Sequence, residues 1–121
     1  MIHLLADAHR LLGGGGSSEY LRAAQRCADA VWERGLLTKG YSICHGVSGN
    51  AYAFVKMWQV TGDKTYLDKA FLFAGWCLDM EKPARHGPDR PHSLFEGDAG
   101  RLFLWADLAQ DPSQASFPII C

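Results

Sequence analysis

A chain of 121 residues, 48% of them apolar and 21% charged, has the length and composition of one soluble globular domain with a modest core. Its formal net charge of −1 mixes both signs along the whole sequence, which argues against a basic surface for nucleic acid or for an anionic membrane. The longest apolar run, residues 51–55, is far shorter than a membrane-spanning helix, so any membrane contact is expected to be peripheral.

The first predicted helix covers residues 2–12, where apolar side chains recur at helical spacing until the glycines of residues 13–16 end it. The first six residues superficially resemble a secretion signal. Asp7, His9 and Arg10 interrupt the apolar run, however, and no small-residue cleavage site follows. We therefore interpret the segment as a helix and expect a cytoplasmic protein, with peripheral contact at the plasma membrane as the alternative.

Two further predicted helices flank a glycine-rich loop. Residues 18–34 carry one wide apolar stripe and end at Gly35, a residue type that favours helix termination. Residues 51–60 are apolar on nearly all sides, which is typical of a helix buried against several neighbours. Asp63 follows a turn and is well placed to cap the next helix.

The second half of the chain is predicted to hold two more helices joined by a loop. The helix after the turn has an apolar stripe formed by Tyr66, Leu67, Ala70, Phe71, Ala74, Cys77 and Leu78. Three prolines within residues 82–91 exclude a helix there. Residues 101–108 form the last predicted helix, and residues 117–121 are expected to pack as an extended strap.

The helices follow an internal repeat. The motif CHGxxG at residues 44–49 matches FEGxxG at 95–100, and EYLxxA at 19–24 matches TYLxxA at 65–70. Each unit is a hairpin of one mostly buried and one amphipathic helix, and stacked hairpins of this kind place the buried helices in an inner ring. We predict an all-α fold, a partial α/α toroid of about two and a half hairpins, with residues 1–121 in a single domain.

The edges of such an arc have no neighbouring helix to bury them, so we expect the isolated chain to be poorly stable.

The glycine-rich loop, residues 39–50, contains the most distinctive chemistry. Cys44 and His45 carry the two side chains best suited to bind zinc, and the flanking glycines let the backbone turn sharply enough for both to approach one centre. A zinc site normally needs at least three protein ligands, so the pair alone only suggests a metal. The alternative is a buried cysteine and a histidine that bonds to backbone at a helix N-terminus.

The other cysteines do not form an obvious framework. Cys27 and Cys77 lie on the apolar faces of predicted helices, and Cys121 ends the chain. This scatter is typical of a reducing compartment rather than of paired disulfides. We interpret Cys27 and Cys77 as small buried apolar residues.

Two acidic residues and the tryptophans leave alternatives open. Glu96 and Asp98 could form the carboxylate pair of a toroidal glycosidase, although Glu96 accepting hydrogen bonds from the loop backbone, or capping the last helix, is the favoured interpretation. The tryptophans are expected to pack between helices rather than to stack on a substrate.

Longer blocks of sequence resemble a known family. They are GLLxKGYxICHGxxGNAY at residues 35–52, SLFEGxxG at residues 93–100, and the Phe117-Pro118 tail. These blocks resemble the C-terminal part of the eukaryotic LanC-like (lanthionine synthetase C-like) proteins, which are relatives of the bacterial lanthionine cyclases. The resemblance covers almost the whole chain, and the glycine tract at residues 13–16 is the least similar part.

The resemblance implies an α/α toroid with one zinc ion in its central cavity, bound by two cysteines and one histidine, with an open position for a substrate thiol. Cys44 and His45 match two of these ligands. In the family the remaining ligand belongs to the Cys-His-Gly motif of the preceding repeat, which would lie ahead of Met1. The acid and base residues of the bacterial cyclases also lie upstream, so we expect this chain to be a fragment that is inactive alone.

The resemblance also implies binding of glutathione and addition of its thiol to dehydroamino acids in damaged proteins, a form of peptide modification. Lys39 matches a lysine that contacts glutathione in the family. An Arg-x-Pro-Asp segment of the family aligns with His86, Gly87, Pro88 and Asp89. Here His86 replaces the arginine and offers no bidentate guanidinium.

Three functions therefore remain as hypotheses: part of a zinc-dependent thiol-transfer protein, a noncatalytic helical-repeat interaction module, and a carbohydrate-active toroid. The first is favoured because the Cys-His-Gly block is long and specific.

Overall fold

The computed structural model describes residues 1–13, 17–37, 40–78 and 89–118. These residues form five α-helices and no strand: α1 (Ile2–Leu12), α2 (Ser17–Arg34), α3 (Val47–Thr61), α4 (Lys64–Trp76) and α5 (Asp98–Gln110). The most extensive contacts join α3 to α4 and α1 to α2. The all-α prediction is confirmed, and the two hairpins with α5 beside them are consistent with a partial helical-repeat toroid.

Helix α3 is the central element, because it contacts each of the other four helices. The prediction of burial on most sides is confirmed. Its buried residues are Val47, Ser48, Ala51, Tyr52, Ala53, Phe54, Val55 and Met57. Burying this much apolar surface is the main favourable contribution to folding, so the rest of the arc is built around α3.

Helices α3 and α5 both begin earlier than their apolar patterns predict. Each starts directly after a glycine that serves as N-cap with extended backbone, Gly46 before Val47 and Gly97 before Asp98. Glycine has no side chain with which to cap a helix, and the N-cap position of α5 belongs to Gly97 rather than to Glu96. The repeated Gly-x-x-Gly motif is thus the first turn of each inner helix.

Helix α4 buries a slightly different face from the predicted one. Phe73 is buried, whereas Phe71 and Leu78 are 41% and 60% exposed, so their assignment to the buried stripe is wrong. The ring of Phe73 packs edge-on against Phe54 of α3 at a centroid distance of 5.0 Å. This aromatic contact sets which side of α4 faces the core. The predicted cap of α4 is confirmed, since the Asp63 side chain accepts a hydrogen bond from the Thr65 amide.

The two flanks of the arc expose apolar side chains. Leu4 and Leu11 of α1 are 70% and 76% exposed, and Leu102 of α5 is 66% exposed. These faces match the expected open edges, where no described helix covers them. Among the described residues, no helix combines the length and apolarity needed to cross a membrane.

After α5 the chain returns across α3 as a strap, residues 112–118; of the predicted strap, residues 117–121, only residues 117 and 118 lie within the described part of the chain. The Gln59 amide nitrogen lies 3.1, 3.2 and 2.8 Å from the carbonyl oxygens of Pro112, Ser113 and Ala115. The Phe117 ring then packs edge-on against Tyr52 at 5.8 Å. The strap is therefore fixed to the polar edge of α3; residues 119–121 lie outside the described residues.

Replacing Gly100 by alanine is expected to lower the free energy of unfolding by about 2 kcal/mol or more, because overpacking strains the neighbouring backbone. A Cβ atom at Gly100 would lie 2.4 Å from the Leu94 carbonyl oxygen and 2.9 Å from Ile43. Gly75→Ala is the control, since a Cβ in that part of α4 meets nothing within 4 Å. It should be neutral or stabilising by up to about 1 kcal/mol. Urea unfolding measures both; equal stability for the two variants would contradict the close packing at Gly100.

Candidate functional site

The loop that precedes α3 closes on itself through its backbone. The Val47 amide donates to the Gly40 carbonyl at 3.1 Å, and the Gly49 amide donates to the Ser42 carbonyl at 3.3 Å. Gly40 adopts a φ of 104°, a conformation that favours glycine. The His45 amide also lies 3.4 Å from the Ser42 hydroxyl. These bonds make residues 40–46 a tight turn whose shape depends little on the side chains of Cys44 and His45.

The equivalent loop of the next repeat holds this turn in place. The Cys44 amide donates to the Phe95 carbonyl at 2.9 Å. Ile43 is only 1% exposed and packs so close to Gly100 that no side chain fits between them. The backbone position of Cys44 is therefore set by a residue about fifty positions later in the chain, in the matching motif.

The side chains of Cys44 and His45 are both exposed and line the same cavity, of about 260 Å³. Apolar residues form much of its wall, among them Ile2 of α1, Val31 of α2 and Phe117 of the strap. The structure thus brings the two sequence-predicted zinc ligands together at one accessible, partly apolar cavity.

The remaining cysteines of the described residues behave differently from each other. Cys77 is buried with its sulfur 3.5 Å from the Ser48 hydroxyl, and burial raises the pKa of its thiol. Cys77 is thus a core residue, as predicted. Cys27 is only half-buried and lies at the wall of the cavity that contains Cys44. Its position on the apolar face of α2 predicts burial, and no feature of the sequence indicates that Cys27 borders the cavity beside the loop.

The donor set fits zinc only in part. Sulfur and imidazole nitrogen are preferred zinc donors, and a catalytic zinc usually has three protein ligands. Within the ranges that the structure describes, no group of three or more His, Cys, Asp or Glu residues is arranged to hold a metal ion. Cys44 and His45 can therefore supply two ligands, and a third would have to come from outside these residues.

Most of the residues predicted to contact glutathione lie outside the described part of the chain. Lys39, His86, Gly87 and Pro88 lie outside the described residues, and Asp89 is exposed. Cys121 also lies outside the described residues.

The two acidic residues of the alternative hypothesis lie at the start of α5. The Asp98 carboxylate is 3.1 Å from the guanidinium of Arg101, and Glu96 is half-buried with its amide donating to the Ser93 hydroxyl. Asp98 is therefore engaged in an ion pair within its own helix.

A polar cluster between α1 and α3 borders a second cavity, of about 80 Å³. Lys56 bonds to the Asp7 carboxylate at 2.5 Å, and the His3 ring lies 5.0 Å from the Phe117 ring. Burial, reinforced by the charge of Lys56, lowers the pKa of His3 to about 4. His3 and Phe117 also line the larger cavity, so the cluster and the candidate site share a wall.

Comparison with known proteins identifies the class. The family of lanthionine synthetase C-like proteins matches residues 5–121, and the chain therefore belongs to that family. The resemblance drawn from the Cys-His-Gly block is confirmed.

Two relatives show the extent of the match. The chain is 42% identical over 118 residues to a zebrafish (Danio rerio) protein named Glutathione S-transferase LANCL1, an alignment that covers 98% of this chain and 28% of the relative. It is 34% identical over 104 residues to the LanC-like protein GCL1 of Arabidopsis thaliana, covering 83% of this chain and 24% of the relative. The chain thus spans about a quarter of the length of these relatives.

Acidification is expected to destabilise the chain through His3. An unfolded histidine has a pKa near 6.5, whereas the folded one titrates at about 4, so between these values the unfolded state binds more protons. The stabilisation is complete above about pH 6.5 and is lost towards pH 4, by about 2–3 kcal/mol. The facing charges are Lys56 and the N-terminal amine, which lower the pKa, and Asp7, which raises it.

Urea unfolding at pH 7 and pH 4.5 should show this loss in the parent chain and a smaller one in His3→Gln. The exposed His92→Gln is the control and should keep the parental difference. A His3→Gln chain with the full pH dependence would contradict the assignment to His3.

Proposed function

We propose that this chain forms the part of a LanC-like toroid that supplies Cys44 and His45 to a zinc site, and that this site activates the thiol of glutathione. The electrophile would be a dehydroamino acid in a protein, so the reaction modifies peptides. The observation that carries the proposal is the placement of both side chains, exposed and adjacent, at one cavity in the loop that the family shares. The name of the zebrafish relative supports glutathione as the thiol.

In the proposed site, residues of this chain would hold and orient the ligands of the metal. The bonds from Val47 to Gly40 and from Cys44 to Phe95 fix the backbone of the loop that carries both candidate ligands. A bound zinc ion would supply Lewis acidity that keeps a coordinated thiol as thiolate at neutral pH.

Glutathione carries two carboxylates, so its site needs cations beside the metal. Lys39 directly precedes Gly40, the residue that closes the described turn. We assign it to a glutathione carboxylate on the basis of the family resemblance. His86 would contribute less than the arginine it replaces, because an imidazole is only partly charged at neutral pH.

The 121-residue chain is not expected to catalyse the reaction alone. Its described residues offer two zinc donors, whereas a catalytic site usually has three from protein. We therefore assign it the role of ligand donor and cavity wall within a larger toroid.

Titration of the purified chain with zinc, followed by calorimetry, tests the ligand assignment. We expect one zinc ion per chain and an affinity at least about ten-fold weaker in Cys44→Ser and in His45→Gln, because each variant removes one of two protein donors. His92→Gln, which changes an exposed histidine away from the cavity, is the matched control and should bind zinc as the parent does.

Glutathione supplies the second arm of the experiment. It should bind the zinc-loaded chain with higher affinity than the metal-free chain, and S-methylglutathione, which lacks the free thiol, should not show this gain. Zinc binding that is equal in the parent and in Cys44→Ser would overturn the proposal.

A further inference from the structure

Arg101, in the first turn of α5, joins three separate parts of the molecule. One guanidinium nitrogen donates to the Cys77 carbonyl at the end of α4, at 3.3 Å. Another lies 3.1 Å from the carboxylate of Asp98. The guanidinium carbon is 5.3 Å from the centroid of the Tyr41 ring, within the range of a cation–π contact. The Arg101 side chain is only 11% exposed, whereas its partner Asp98 is 53% exposed.

Tyr41 belongs to the loop that carries the candidate zinc ligands. On one side of it, the Gly40 carbonyl accepts the Val47 amide; on the other, the Ser42 carbonyl accepts the Gly49 amide. Along the chain, Tyr41 therefore lies between the two backbone anchors of the turn. The contact with Arg101 therefore restrains the backbone that leads to Cys44.

The geometry requires an arginine rather than another cation. The planar guanidinium can stack on a ring with its face while its edge donates hydrogen bonds in the same plane. A lysine at position 101 could keep a charge near Tyr41, but it has a single nitrogen and could not serve the ring, the Cys77 carbonyl and the Asp98 carboxylate at once. Few other side chains could connect the end of α4, the start of α5 and the loop.

A second contact from the same turn of α5 reaches the neighbouring part of the loop. Gly100, the residue before Arg101, packs against Ile43, and the Phe95 carbonyl accepts the Cys44 amide. The loop is thus held at two points, by close packing beside Cys44 and by the guanidinium at Tyr41.

We infer that Arg101 is a positioning residue for the Cys44 and His45 pair, which acts by holding the Tyr41 ring and with it the turn that presents both side chains to the cavity. The consequence for metal binding rests on the proposed function; the consequence for the loop does not. Arg101 touches neither candidate ligand in any described contact and acts only through Tyr41 and the backbone.

The first test measures the loop itself in the metal-free chain. Amide hydrogen exchange, followed by NMR, reports the protection of the Cys44 amide that bonds to Phe95. Loss of the cation–π contact should speed this exchange roughly five- to thirty-fold in Arg101→Met, and less in Arg101→Lys. Amides in the middle of α3 should keep their protection.

Lys69→Met is the matched control, because it removes another cation–π contact. The Lys69 ammonium lies 5.0 Å from the Trp32 ring, between α4 and α2 rather than at the loop. This variant should leave the Cys44 amide unchanged. If the Cys44 amide exchanges at the same rate in Arg101→Met and in Lys69→Met, Arg101 has only a general structural role and the inference is wrong.

Variants of Tyr41 keep the inference testable if Arg101→Met does not fold. Tyr41→Phe retains the ring and should preserve the protection of the Cys44 amide, whereas Tyr41→Leu should reproduce the loss. Protection retained in Tyr41→Leu would overturn the inference.

Cobalt(II), used as a spectroscopic probe for zinc, provides the second readout. Arg101→Met should weaken cobalt binding about five-fold or more, and Arg101→Lys should restore part of the affinity. If the parent chain binds no cobalt, the proposed metal function fails, while the amide exchange still decides the role of Arg101. Faster exchange with unchanged cobalt affinity would contradict the link between the loop and the metal.

Discussion

A backbone hydrogen bond between two repeats, from the Cys44 amide to the Phe95 carbonyl, is the interaction on which the candidate site depends. It joins two loops of the same Gly-x-x-Gly type, and the contact of Ile43 with Gly100 closes the space beside it. Glycine is required there because any side chain would collide with the neighbouring loop. The repeat therefore does more than stack helices, since the first loop uses the second to fix its own backbone.

This arrangement leaves the side chains of the motif free for chemistry. The backbone bonds of the turn and the burial of Ile43 stabilise the loop, so Cys44 and His45 can remain exposed at the cavity without destabilising α3. The same helix carries the core on its buried faces and the strap on its polar edge, where Gln59 bonds to it. Fold and site are thus organised around one helix and the loop at its N-terminus.

Much of this could be predicted from the sequence, for reasons that lie in local patterns. Apolar periodicity identified all five helices and the burial of α3, and the Cys-His-Gly block identified both candidate ligands and the family. The starts of α3 and α5 were missed because glycine has a low helix propensity, which packing between the loops overrides. Phe71 was misassigned because the face of α4 that meets the core is set by the packing of Phe73 against Phe54, a residue on another helix. Cys27, Arg101 and Phe117 reach the site or its loop from distant parts of the chain, and such tertiary placement leaves no signal in a single sequence.

The most direct test of the proposed zinc site is a count of the sulfur ligands of zinc by X-ray absorption at the zinc edge, on the zinc-loaded chain at a concentration where it is monomeric. We expect one sulfur ligand, from Cys44, and two after addition of glutathione. Two sulfur ligands before glutathione is added would mean that a second cysteine of the chain binds the metal, and an unchanged count after its addition would show that the thiol does not bind the metal. Either result would contradict the proposal that this loop presents one thiolate and one imidazole to a zinc ion that receives the glutathione thiol.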